Sequence, residues 1–366
     1  KLKEIENMNA SISANMNASF SQDLSMKDLK HLIYFENLLQ DANNDLVKQA
    51  KDEGKRILGY TCYFMPEVLL DLPGCVGVRL RAPRSGSPDM ATYYMSNYTC
   101  EYARALTERG IEGGFNFLDG LAGVDACSMM NRFYEHFEIL KMNEKPNFFV
   151  THTDMPYKIE DYTVRQYVKQ MQIRLLDVMK ESYGVDVSDA AIRQAVAEHN
   201  EVCRIISEIS EMRKADNPVI TGYEFHVITL VTYTCPKKLI LPYLRETLEE
   251  LKKRKPDPKP WYRARVSIVG SEIDDPSLTK LIEDCGAMVV SDRYCFGSIP
   301  GREVIELKDD EEDEFIPGFR DVEKDDYRAD DSEFEAAGYD IEDVNDDDLD
   351  DYAADEDDDY EEERPR

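Results

Sequence analysis

The 366-residue sequence has one Trp, five His and no uninterrupted run of 18 apolar residues. A membrane-spanning helix needs about 20 such residues, so none is expected. The chain opens on Lys1-Leu-Lys-Glu-Ile-Glu and a Met/Asn/Ser-rich stretch, without an apolar signal segment, and a cytoplasmic location is the expectation. Also missing are Gly-x-x-x-x-Gly-Lys-Ser/Thr, Gly-x-Gly-x-x-Gly after a strand, His-Glu-x-x-His and Cys-x-x-Cys. Direct nucleotide binding and a zinc ribbon are therefore not expected. Basic residues number 44 against 75 acidic ones, and Lys252–Lys259 is the one Lys/Arg-rich block, so no nucleic-acid surface is expected either.

The net charge of −31 is unevenly placed. Residues 309–366 hold 30 acidic and five basic residues, a net of −25, which leaves −6 for the first 308. Such a tail has too few apolar residues to offset the entropy of ordering it and is expected to be disordered. Eight Cys run from Cys62 to Cys295 with no secretory context. That pattern favours reduced thiols or metal ligands over a disulfide framework.

Between the ends, the pattern reads as α/β. A polar arm and an amphipathic lead-in (1–52) precede alternating apolar strands and helices: strands at 56–60, 76–80, 117–124 and 148–151, helices at 66–72, 97–109 and 128–141. Such alternation predicts a parallel sheet covered on both faces, a first doubly wound, flavodoxin-like unit over 53–160. Helices follow over 161–259, one capped by Ser188, and end in the Pro-rich connection Lys252–Pro260. A second unit, 260–307, has strands at 265–270 and 287–291 and a helix at 277–285 closed by Gly286, and is incomplete. The tail occupies 308–366.

Position alone singles out three thiols. Cys127 and Cys295 each follow a strand, where ligands of open α/β sheets bind, and Cys100 opens a helix, whose positive end favours a thiolate. Isolated cysteines are also common as small core residues, and that reading is kept for Cys62, Cys75, Cys203, Cys235 and Cys285. His152, near Asp154 at the end of a strand, is a weak acid–base candidate. Arg79 and Arg81 share a strand face and are weak candidates for binding a phosphate of the substrate, with Arg84 beside them. Glu67 is read as a helix N-terminal acid without a catalytic role.

Four segments sharpen this reading: Gly59-Tyr-Thr-Cys-Tyr-Phe-Met-Pro-Glu-Val-Leu-Leu-Asp-Leu-Pro-Gly74, Asn97-Tyr-Thr-Cys-Glu-Tyr-Ala-Arg104, Leu118-Asp-Gly-Leu-Ala-Gly-Val-Asp-Ala-Cys-Ser-Met-Met-Asn-Arg132 and Asp292-Arg-Tyr-Cys-Phe-Gly-Ser-Ile-Pro-Gly-Arg-Glu303. In this order over residues 55–307 they resemble the 2-hydroxyacyl-CoA dehydratase/benzoyl-CoA reductase family, the last segment resembling the reductase branch. The resemblance implies a 4Fe–4S cluster held by Cys100, Cys127 and Cys295, low-potential electron transfer to a CoA thioester, a homologous second subunit and a separate ATP-hydrolysing iron–sulfur activator. It points first to reduction of an aryl-CoA such as benzoyl-CoA. The alternatives are 2-hydroxyacyl-CoA dehydration through a ketyl radical, and a non-catalytic homologue whose acidic tail is an interaction segment. Family chains continue beyond the Cys-Phe-Gly-Ser segment with further strand–helix units, and this sequence turns acidic after Leu307.

Overall fold

The computed structural model describes residues 28–83, 87–256, 261–270, 272–298 and 302–307. Arg84, most of the N-terminal arm and the acidic tail lie outside the described residues.

Two short helices, α1 (Leu32–Leu38) and α2 (Asp45–Asp52), lead into the first sheet. Asn44 starts α2 by accepting from the amides of Leu46 and Val47, which satisfies two of the donors that a helix start leaves free. Strands β1 (Arg56–Tyr60), β2 (Cys75–Arg79), β3 (Gly120–Asp125) and β4 (Phe149–Asp154) form one parallel sheet in the order β2-β1-β3-β4. Side chains alternate between its faces: Ile57 and Leu121 join one buried apolar cluster, Leu58, Tyr60, Ala122 and Val124 another. Burial on both faces explains why β1–β3 read as continuous apolar runs. The helix expected after β1 is a single 3₁₀ turn, Glu67–Leu70. Helices α3 (Glu101–Ile111) and α4 (Ser128–Ile139) flank β3 in the chain.

Beyond β4, α5 (Asp161–Met171) runs through a π-helical turn, Gln172–Leu176, into α6 (Asp177–Tyr183), and α7 (Asp189–Met212) is capped by Ser188 as expected. Helix α8 (Gly222–Thr234) is buried on nearly every side, with only Tyr223 partly exposed. It packs against β2 and, at its other contacts, against β6. Gly222 permits the close approach, since a Cβ there would lie 2.5 Å from Val289 Cβ. After α9 (Lys237–Lys253), strands β5 (Ala264–Val269) and β6 (Ala287–Arg293) pair in parallel around α10 (Ser277–Asp284), and among the described residues this second sheet has two strands.

Candidate functional site

The chain leaves β1 for β2 and returns to the other side of β1 for β3. The carboxyl ends of β1 and β3 thus flank the point where the winding reverses, the crevice in which open α/β sheets bind ligands. Cys62 follows β1 and Cys127 follows β3. Cys127 is the N-cap of α4, and Cys100 the N-cap of α3, its Sγ accepting from Ala103 N at 3.4 Å. Both thiols thus stand at the first turn of a helix.

Cys295 arrives from the second sheet, just beyond β6. Its loop is shaped by Asp292, whose carboxylate accepts from Ser298 N at 2.7 Å and pairs with Arg213 at 2.7 Å, both side chains being almost wholly buried. A Cβ at Gly297 would lie 2.3 Å from Asp292 Oδ2, so a glycine is required for the backbone to close over the carboxylate. Asp292, Gly297 and Ser298 of the Cys-Phe-Gly-Ser segment are thereby explained as a cradle that presents Cys295.

The four thiols act on one another. Charge on Cys127 is felt at both Cys100 and Cys62, and charge on Cys62 at Cys295. Burial pushes all three of Cys62, Cys100 and Cys295 up, Cys295 to about 12, where the nearby Glu272 carboxylate adds to the effect. Thiols of this kind stay protonated until a metal takes the proton's place. Among the described residues no three His, Cys, Asp or Glu side chains converge tightly enough to hold a single metal ion. An iron–sulfur cluster spreads its thiolates over separate irons, so a looser ring of thiols on different loops suits it better. Beside the thiols, Arg79 Nη2 and Glu272 Oε2 are buried without hydrogen-bond partners, and the two side chains are 3.6 Å apart. The donor set therefore fits a cluster. Cys62, read from sequence as a packed thiol, is only partly buried and stands in the same group. The switch point that brings it there is a property of strand order, and no local spacing reveals it. Cys75, Cys203 and Cys235 are buried as expected, whereas Cys285 is exposed.

Arg79 and Arg81 do not offer their guanidinium groups to a phosphate. Arg79 is wholly buried and donates to the carbonyls of Thr61 (2.7 Å) and Cys295 (2.6 Å). Arg81 is nearly so, donating to the carbonyls of Asp274 and Leu39. The two guanidinium groups satisfy carbonyl groups of the loops folded over the end of β2. His152 lies on β4 opposite Gly123, its ring centroid 5.4 Å from that of Tyr134 and its Nε2 without a partner among the described residues. The Asp154 carboxylate accepts from Gln170, so no His152–Asp154 pair forms.

Glu67 departs most from its sequence reading. A cavity of about 550 Å³, lined in part by Tyr60, Tyr63, His199, Tyr233 and Ile305, has this buried carboxylate in its wall. Tyr60 donates to Glu67 Oε2, while His199 Nδ1 (3.3 Å), Lys237 Nζ (3.6 Å) and Arg302 Nη1 (3.7 Å) surround Oε1. Burial would raise the carboxyl, but Lys237, Arg302 and His199 outweigh it and hold Glu67 well below its ordinary range. His199 in turn is raised against burial by Cys203 and Glu67. The Pro66-Glu67 dipeptide gave no sign of this, because His199, Lys237 and Arg302 come from α7, α9 and the 302–305 segment. The cavity adjoins the thiols through Tyr63, which feels the charge of Cys295 and Cys62.

The chain is similar to known dehydratase subunits. YjiM of Escherichia coli (strain K12), named as a dehydratase subunit, is 23% identical over 265 residues, 69% of this chain and 66% of its own length. The beta subunit of (R)-2-hydroxyglutaryl-CoA dehydratase from Acidaminococcus fermentans is 20% identical over 170 residues, 44% of each chain. The chain thus spans just under two thirds of the one relative and less than half of the other. These matches support the dehydratase side of the family and correct the expectation of a benzoyl-CoA reductase branch. The model of the 2-hydroxyglutaryl-CoA dehydratase D-component matches residues 62–318, a stretch that holds Cys100, Cys127 and Cys295, and the chain belongs to that family.

Proposed function

We propose that this chain is the iron–sulfur subunit of a 2-hydroxyacyl-CoA dehydratase, with Cys100, Cys127 and Cys295 as thiolate ligands of a 4Fe–4S cluster. The observation that carries the reading is that the thiol-bearing loops are linked one to the next: Cys100 and Cys62 both feel the charge of Cys127, Cys295 feels that of Cys62, and Arg79 donates to the carbonyls of both Thr61 and Cys295, although Cys295 is far away in sequence. A bound cluster with three protein ligands supplies low-potential electrons and an open iron able to polarise a thioester carbonyl.

The chain's own residues do the rest. The starts of α3 and α4 carry Cys100 and Cys127. The cavity beside Tyr63 takes the acyl end of the CoA thioester and excludes water from it. His199, with Nδ1 3.3 Å from Glu67 Oε1, holds a proton at its wall. A homologous second subunit and an ATP-hydrolysing activator complete the system, in keeping with the lack of a nucleotide motif in this sequence. Family membership and the two relatives support dehydration over aryl-CoA reduction, while the cysteine positions are common to both.

The test is anaerobic purification and reconstitution of the full chain with iron and sulfide analysis, alongside Cys127→Ser. Wild type is expected to bind about four irons per chain and Cys127→Ser to lose most of them. Wild-type protein that holds fewer than about one iron, with no sulfide, overturns the assignment.

A further inference from the structure

Arg79 touches two of the thiol-bearing loops at once. Its Nε donates to the carbonyl of Thr61, the residue before Cys62, and its Nη1 to the carbonyl of Cys295 itself. The two loops are more than 230 residues apart in sequence and hang from different sheets. The guanidinium lies over the Phe296 ring, 3.9 Å from its centroid, which locks the fork in place. Thr61 is anchored in turn, its hydroxyl 2.7 Å from Tyr134 OH.

The charge of Arg79 is not fully used. A buried cation is costly unless paired and hydrogen-bonded. The nearest carboxylate, Glu272, stands 3.6 Å away, and neither Arg79 Nη2 nor Glu272 Oε2 makes a hydrogen bond. Arg79 acts electrostatically on Cys62 and Cys295, and Glu272 on Cys62, Cys100 and Cys295, so the unspent donor stands among the thiols. A buried N–H without a partner at such a place suits an anionic ligand held by thiolates.

We propose that Arg79 is the positioning residue of the thiol site: its fork sets the separation of the Cys62 and Cys295 loops, and its charge, opposed by Glu272, sets the potential of the cluster bound there. The inference rests on the reading of the site as a cluster site, and it assigns Arg79 a role toward the cluster in place of the expected contact with CoA. Loss of a positive charge beside a cluster disfavours its reduced, more negative state. Arg79→Lys keeps the charge and loses the fork, Arg79→Met loses both, and Glu272→Gln removes the opposing carboxylate.

Hydrogen exchange of the iron-free full chain and redox titration of the reconstituted protein followed by electron paramagnetic resonance test the two halves. In Arg79→Lys, amides of residues 61–65 and 294–298 are expected to exchange faster together, by about tenfold for one lost buried hydrogen bond, with β1 and β3 unchanged. Iron retention falls while the potential of what remains stays near wild type. In Arg79→Met the potential moves negative and the resonance changes; in Glu272→Gln the potential moves positive. Should Arg79→Met fail to fold, the lysine and glutamine variants still decide. Unchanged exchange in both segments of Arg79→Lys overturns the positioning role, and equal potentials across wild type, Arg79→Met and Glu272→Gln overturn the charge role. If the wild type takes up no iron, the cluster assignment fails while the exchange arm still judges Arg79.

Discussion

The two sheets solve the same packing problem to different degrees. In the first, β1, β2 and β3 are buried almost throughout, whereas β5 in the second is half open to solvent, with Val269 73% exposed. Yet β6 is held in the core at several points: Met288 and Val289 are buried, Asp292 and Arg213 are a buried pair, and Tyr294 and Phe296 just beyond it join the main apolar cluster. The lesson is that the two paired strands of the second sheet are covered unequally. The strand that delivers Cys295, β6, is anchored in the core, and its neighbour β5 is open.

Asp292→Asn strikes hardest at that anchoring. It leaves the Arg213 cation buried without a counter-charge, a loss of about 3–5 kcal/mol. Urea unfolding of the variant should register it, and exchange should rise in 294–298 before it rises in β1–β3. An equal rise everywhere would contradict an anchor confined to the end of β6.

Acid should separate the sheets next. His226 on α8 is packed under Thr279, Ile273 and Tyr294, with Asp292, Arg81 and Asp275 as the charges that reach it. Burial, the largest cause, lowers it to about 4. Its folded value lies below its unfolded one, so the unfolded state binds the extra proton and stability is lost as pH falls from about 6.5 to about 4. The loss amounts to about 3 kcal/mol at most. His226→Gln cannot take up that proton, and the difference in melting temperature between pH 7 and pH 5 should shrink relative to wild type. A difference of the same size in both proteins would refute the assignment.

The smallest effect belongs to the open face. Val269→Ala removes an apolar group already in water and should change stability by no more than about 0.5 kcal/mol. A loss of several times that size in chemical denaturation would mean that β5 is better covered than its exposure implies.

Much of this arrangement was legible in the sequence where a local rule governs it. Apolar runs located every strand; β1 has the expected bounds, whereas β3 starts at Gly120 because Asp119 turns its carboxylate back to the Ile57 amide. Ser188 and Gly286 end their helices as their chemistry requires. Cys100 and Cys127 sit at helix starts, as strand-to-helix junctions imply. What escaped notice depends on distant partners. Helix α8, apolar on all sides, carries no period to read. Arg79 and Arg81 look like surface cations until the loops that cover them are placed, and Glu67 looks like a helix-start acid until α7, α9 and the 302–305 segment bring His199, Lys237 and Arg302 to it. Cys62 belongs with the other thiols only through the order of the strands.

Helix α8 carries a final consequence. One end of its contacts is β2, which bears Arg79, and another is β6, which delivers Cys295. Close-packed interiors yield little to compression. The helix therefore works as a fixed gauge, and its girth, set by Gly222 against Val289, fixes how far the two sheets can part. A bulkier residue there would widen the gauge and spread the thiols without touching any of them.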